Sequence, residues 1–116
     1  MTADPNWPRA SELLTDNPNS EVALIGIGAH QTSISPTRAD TTPPAVREAL
    51  LRYSTYCASH DQDLGELKIC DVGNVKSPDH AEGEQRVHEE LQNLKDKFLI
   101  AIGGDNSITY SVATGL

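Results

Sequence analysis

Three short apolar runs constrain this chain of 116 residues more than anything else in it. They are Glu21-Val-Ala-Leu-Ile-Gly-Ile27, Leu67-Lys-Ile-Cys-Asp-Val72 and Phe98-Leu-Ile-Ala-Ile102. Compact runs of Val, Ile and Leu suit strands covered on both faces, as in a parallel sheet. Helical patterns lie between them. Thr42-Pro43-Pro44 opens the first, because threonine caps and proline at the first helical position gives up an N–H that has no partner there anyway. Val46, Ala49, Leu50, Tyr53 and Cys57 then form one apolar stripe. Ser77-Pro78-Asp79 predicts a second helix start, with Ser77 as cap or Asp79 and Glu82 as a capping-box pair; its stripe is Val87, Leu91 and Leu94. Ser107–Thr114 predicts a third helix. Alternation of strand and helix points to right-handed crossovers and a layered α/β fold.

Length allows one domain with a modest core. Residues 1–20 are polar, with Pro5, Pro8 and Pro18, and read as an arm with a short helix near Ala10–Leu14, loose or packed across another surface. Residues 21–116 read as the α/β domain. The net charge of −8 excludes partners that select basic faces, namely nucleic acid and anionic membranes. Cys57 and Cys70 form no CxxC pair, which predicts two reduced structural thiols. No apolar run approaches the ~18 residues of a membrane span and no signal-peptide pattern opens the chain, so the expected location is cytoplasmic. A sheet of three strands has an open edge, and fold logic predicts that more of the fold follows Leu116.

In open α/β sheets ligands bind beyond the carboxyl ends of the strands. Three segments should meet there: Gly28–Thr42, Asp71–Ser77 and Gly103–Ser107. In the last, Gly103 and Gly104 let the backbone turn off a strand, and Asp105, Asn106 and Ser107 follow at a helix start. They either cap that helix or face a ligand. His30 sits in the first loop, as a solvated histidine or a rim residue. Arg38 and Asp40 either pair with each other or meet a substrate carboxylate, and pairing is the favoured reading. His80 and His88 fall on a surface helix, and His60 in a polar linker. Gly26-x-Gly28 lacks the third glycine of a dinucleotide fingerprint, position 31 being Gln, and no Walker A or G-x-S-x-G sequence occurs.

Gly103-Gly104-Asp105-Asn106-Ser107-Ile108-Thr109 resembles the GGDHS(I/V)T segment of the ureohydrolases, the arginase, agmatinase and formimidoylglutamase family. Gly26-Ile-Gly28, Ser35-Pro-Thr-Arg-Ala-Asp40 and Pro43-Pro44-Ala-Val-Arg47-Glu-Ala-Leu50 are similar to the family's first strand, substrate-side loop and "GPxAIR" helix start. Asp71-Val-Gly73-Asn74-Val75 resembles its "DxGDV" turn. The three stretches stand in register across residues 20–116, and the wording of the loop leans towards formimidoylglutamases.

The resemblance implies a three-layer αβα fold around a parallel sheet, of which this chain is the N-terminal portion. It also implies a reaction: hydrolysis of guanidino or formimino C–N bonds by a hydroxide bridging two Mn²⁺ ions, which lower the pKa of bound water. Homo-oligomers are common in the family. The sequence departs from the pattern twice. Asn106 stands where the family has a ligand histidine, and an amide oxygen is a weaker ligand for a transition metal than imidazole. The later DAHxD and DxDxxDP ligand motifs do not occur. The expectation is therefore a segment of a metal-dependent hydrolase without turnover of its own. Asn106 would lie at the metal, and Gly103, Gly104, Asp105, Ser107, His30, Arg38 and Asp40 would line the metal pocket or substrate rim. The competing expectation is a non-catalytic α/β module that self-associates through its open sheet edge.

Overall fold

A computed structural model describes residues 4–116. Six strands and three α-helices occur among them: β1 (Leu14–Thr15), β2 (Val22–Ile27), α1 (Thr42–Leu50), β3 (Tyr56–Cys57), β4 (Gln62–Asp63), β5 (Ile69–Asn74), α2 (Gly83–Gln92), β6 (Phe98–Gly103) and α3 (Ile108–Gly115). Four of the strands make one parallel sheet in the order β1-β5-β2-β6. The α/β class and the parallel sheet are as the sequence predicts.

Residues alternate between the two faces of a strand. Ala23, Ile25 and Ile27 of β2 point to the face covered by α2 and α3, where they pack with Val75, Val87, Leu91 and Leu94. Leu99, Ala101, Ile108 and Val112 lean on the same cluster. Ile25, Ile27, Val87 and Leu91 are fully buried, and each such side chain contributes about 2 kcal/mol through removal from water. The opposite face belongs to α1. There Gly26 lets the helix approach closely: a Cβ at position 26 would sit 2.8 Å from Pro43 Cβ and 2.0 Å from Asn74 Oδ1.

Several boundaries differ from the sequence expectation. The first helix ends at Leu50 instead of carrying its stripe to Cys57, because the following residues bond elsewhere. Tyr53 O accepts the N–H of Ala10, and Ser54 bridges to Arg9. The expected linker around residues 60–65 holds β4, which pairs antiparallel with β3. β5 starts and ends two residues late, since Leu67 turns back onto Leu64 while Asn74 stays in register with Gly26. α2 begins at Gly83 and not at Ser77–Asp79. The intervening loop is wound around Arg86, whose guanidinium donates to the carbonyls of Lys76, Ser77 and Ala81. Thr42 is already inside α1, and Thr41 flanks it, donating its hydroxyl to Arg38 O.

The described part of the N-terminal arm is packed. Leu14 and Thr15 extend the sheet beyond β5, and Lys97 Nζ holds the carbonyls of Pro18 and Ser20. Cys57 and Cys70 are free thiols, Cys70 buried. Among the described residues no helix is long and apolar enough to cross a membrane.

Candidate functional site

All four sheet strands run the same way, so the segments after β2, β5 and β6 emerge on one rim, as predicted. At Gly104 the backbone has a φ of 79°, and a Cβ there would lie 2.4 Å from Ile27 O and 2.8 Å from Ala29 N and O. Only glycine brings the segment after β6 this close to the end of β2. The approach is fixed by a hydrogen bond from Asp105 N to Ala29 O at 2.8 Å.

Asp105 is the most heavily bonded side chain of the rim. Its Oδ2 accepts the hydroxyls of Thr32 at 3.2 Å and Ser33 at 3.0 Å. Its Oδ1 accepts the N–H of Ser107 at 3.0 Å and the hydroxyl of the same residue at 2.5 Å. The Ser107 hydroxyl, with the Ser107 N–H and the hydroxyls of Ser33 and Thr32, holds the Asp105 carboxyl below the usual carboxylate range against a smaller desolvation effect. Asp105 thus serves the start of α3 and the loop after β2 together. Gly103, the last residue of β6, packs under Ile108. Asn106 and Ser107 are exposed and, with Thr32, Ser33, Ile34 and Asp105, line an open cavity of about 250 Å³.

His30 departs from the solvated-loop reading. Its side chain is 29% exposed, and its Nδ1 lies 3.1 Å from Asp79 Oδ2 and 4.0 Å from Asp40 Oδ1. That nitrogen is buried and, among the described residues, has no hydrogen-bond partner. Arg38 and Asp40 do pair, through two 3.0 Å contacts. The pair raises the Arg38 pKa and lowers that of Asp40, with the hydrogen bond as the main cause.

Three features escaped the sequence reading. Thr32 and Ser33 belong to a loop without periodicity, and nothing local marks them as partners of Asp105. Asp79 carries a helix-start signature yet bonds to the N–H groups of His30 and Gln31. Arg47 clamps the turn after β5, with Nε and Nη2 on the Asp71 carboxylate at 2.8 and 2.9 Å and Nη1 on Asn74 Oδ1 at 2.6 Å. Burial pushes the Asp71 carboxyl up, but Arg47 and the Gly73 N–H outweigh it and leave the pKa lowered.

The same geometry tests the rim as a manganese site. Among the described residues no three His, Cys, Asp or Glu side chains gather where they could hold a metal ion. Both Asp105 oxygens are engaged by hydroxyls and an N–H, and Asn106 offers one neutral amide. These residues by themselves do not fit a Mn²⁺ centre.

Comparison with known proteins agrees with the geometry. The model of the arginase family matches residues 20–116. Over 93 residues the chain is 33% identical to the formimidoylglutamase of Halalkalibacterium halodurans, covering 75% of this chain and 29% of that protein. The formimidoylglutamase of Bacillus subtilis is 36% identical over 97 residues, covering 77% and 30%. The crystal structure of that Bacillus protein superposes with a TM-score of 0.84 at 24% identity, over 99% of this chain and 39% of the other. Trypanosoma cruzi formiminoglutamase with Mn²⁺ superposes with a TM-score of 0.82 at 20% identity, over 94% and 39%. The chain spans about a third of the length of these relatives. With its parallel sheet, its three motif-bearing segments on one rim and a family match over nearly all of its structured length, the chain belongs to the arginase family.

Proposed function

We propose that these residues form the N-terminal portion of a metal-dependent hydrolase that cleaves C–N bonds of linear amidines, with formimino compounds favoured over guanidino ones. The observation that carries the reading is the convergence of the segments after β2, β5 and β6 on one rim, with Asp105 tying two of them together. Formimidoylglutamase relatives at 33% and 36% identity support the formimino preference, and a manganese-bound neighbour supports manganese as the ion. In this reading residues 1–20 are an arm on a domain that begins at residue 21, and Asn106 is the one side chain here that meets the metal. Divalent ions would supply an activated hydroxide. The chain's own contribution is to shape the rim and fix the segment before α3. The carboxylate and histidine ligands come from outside these residues, so the chain alone has no turnover. The assembled enzyme is a cytoplasmic homo-oligomer.

Release of formamide, urea or ammonia from N-formimidoylglutamate, agmatine and arginine tests this. The comparison is between the chain alone and a polypeptide joining it to the remaining two thirds of the fold, with and without Mn²⁺. Manganese-dependent formamide release by the joined protein alone is the expected result. A joined, folded protein that binds no Mn²⁺ and hydrolyses none of the three defeats the proposal.

One observation favours the second reading. Among the described residues β6 pairs only with β2, and Phe98 at its start is 71% exposed. A non-catalytic module would use that edge to associate with a copy of itself. Sedimentation separates the readings, because self-association of the chain without any gain of activity in the joined protein selects the module.

A further inference from the structure

Residues 29–33, the first turn of the loop after β2, are held from two sides by carboxylates. On one side Asp79 accepts the N–H of His30 at 3.0 Å and that of Gln31 at 3.2 Å. On the other, Asp105 receives the Thr32 and Ser33 hydroxyls and gives its own N–H to Ala29 O. The Asp79 side chain is only 6% exposed. A carboxylate that deep is costly unless it is hydrogen-bonded. The obvious local use of Asp79, capping α2, is not made: the helix starts four residues later, at Gly83, and has no side-chain cap. Its hydrogen bonds instead reach a loop 49 and 48 residues away.

We propose that Asp79, which lies outside the three motif segments, is a positioning residue that sets where loop 29–33 stands and so delivers the Thr32 and Ser33 hydroxyls to Asp105. Thr32 is also a wall shared by the 250 Å³ cavity at Asn106 and a neighbouring cavity of about 330 Å³ between the starts of α2 and α3. Moving the loop therefore changes the shape of both. The placement of the loop stands independently of any reaction; its consequence for turnover rests on the hydrolase reading above.

Amide exchange followed by NMR on the 116-residue chain tests the placement. In Asp79→Ala the amides of His30 and Gln31 should exchange roughly 10- to 100-fold faster, the range set by loss of a hydrogen bond to a charged group. The Asp105 amide, bonded to Ala29, should quicken less, and those of Leu24–Ile27 should not change. Asp79→Asn keeps an acceptor without the charge and should restore part of the protection. The double variant Thr32→Ala, Ser33→Ala should leave His30 and Gln31 protected. Unchanged His30 and Gln31 in Asp79→Ala overturns the proposal. So does equal acceleration throughout β2 in both Asp79 variants, which would make Asp79 a general support of the fold. In the joined enzyme, Asp79→Ala should lower kcat/KM by about tenfold, with Asp79→Asn in between. If the exchange results hold and even the unsubstituted joined enzyme is inactive, the hydrolase reading fails and the positioning role stands. Exchange effects together with undiminished kcat/KM in Asp79→Ala overturn the catalytic half of the proposal.

Discussion

β2 and β6 lie side by side in register and are made of nearly the same residues, Val-Ala-Leu-Ile-Gly-Ile against Phe-Leu-Ile-Ala-Ile-Gly, yet their surroundings differ. β2 has a strand on each side and is buried from Ala23 to Ile27. Among the described residues β6 has a strand on one side only, and from Leu99 on it is half-buried. The apolar sequence of β6 is suited to more cover than these residues give it. An apolar run therefore reports what a strand needs, while strand order decides what it gets. The rim shows the same contrast. On the β5 side Arg47 locks the turn through a partly buried ion pair, whereas Asn106, at the end of β6, stands exposed.

The largest effect should come from matched truncations at one register step. Leu24 faces Ile100 across the β2–β6 ladder and is buried, whereas Ile100 is half-buried. Leu24→Ala should cost about 3 kcal/mol in chemical denaturation, within the range for fully buried leucines. Ile100→Ala should cost only about 1 kcal/mol because less surface is lost from the core. Equal costs would mean that something covers β6 in solution. Next comes Arg47→Met, which leaves Asp71 partly buried without its partner and should cost about 2 kcal/mol after discounting a fully buried pair for its solvent access. Arg38→Met, which breaks an exposed pair, should leave the denaturation midpoint where it is.

The acid limb of stability sharpens the same contrast. Asp71 and Asp105 have lowered pKa values in the folded chain. Each therefore stabilises the fold above the ordinary carboxylate value of ~3.9, and that contribution is lost as pH falls from there through the folded value. Melting from pH 6 down to pH 2 should show this loss. Arg47→Met should flatten the profile, since Asp71 then titrates nearer its ordinary value. An unchanged slope would mean that Asp71 does not contribute to the acid limb. Phe98→Ser belongs with Arg38→Met at the small end and should alter stability by less than about 0.5 kcal/mol, as expected of an exposed site.

The sheet was legible because Val22–Ile27 and Phe98–Gly103 carry their burial requirement in consecutive residues. The rim was legible because glycines mark where the backbone turns at Gly103 and Gly104, and because parallel strand order puts such turns on one side. What stayed hidden depends on distant partners. Leu14–Thr15 is too short to read as a strand until β5 is beside it. Asp79 looks like a cap because its neighbours in sequence are a serine and a proline, and its true partners are on the loop after β2. Thr32 and Ser33 are two hydroxyl residues in a loop full of them, singled out only by the position of Asp105. The half-buried setting of His30 likewise comes from Asp40 and Asp79, which local sequence does not bring together.

In the function proposed above, this rim is one part of a metal site and does not contain the site. A Mn²⁺ titration followed by electron paramagnetic resonance tests it most directly, run on the 116-residue chain and on the same chain joined to the remaining two thirds of the fold. The expected result is no tight Mn²⁺ binding by the chain alone, binding of two ions by the joined protein, and tighter binding when Asn106→His is introduced there. Tight binding by the chain alone, or none by the folded joined protein, would contradict it.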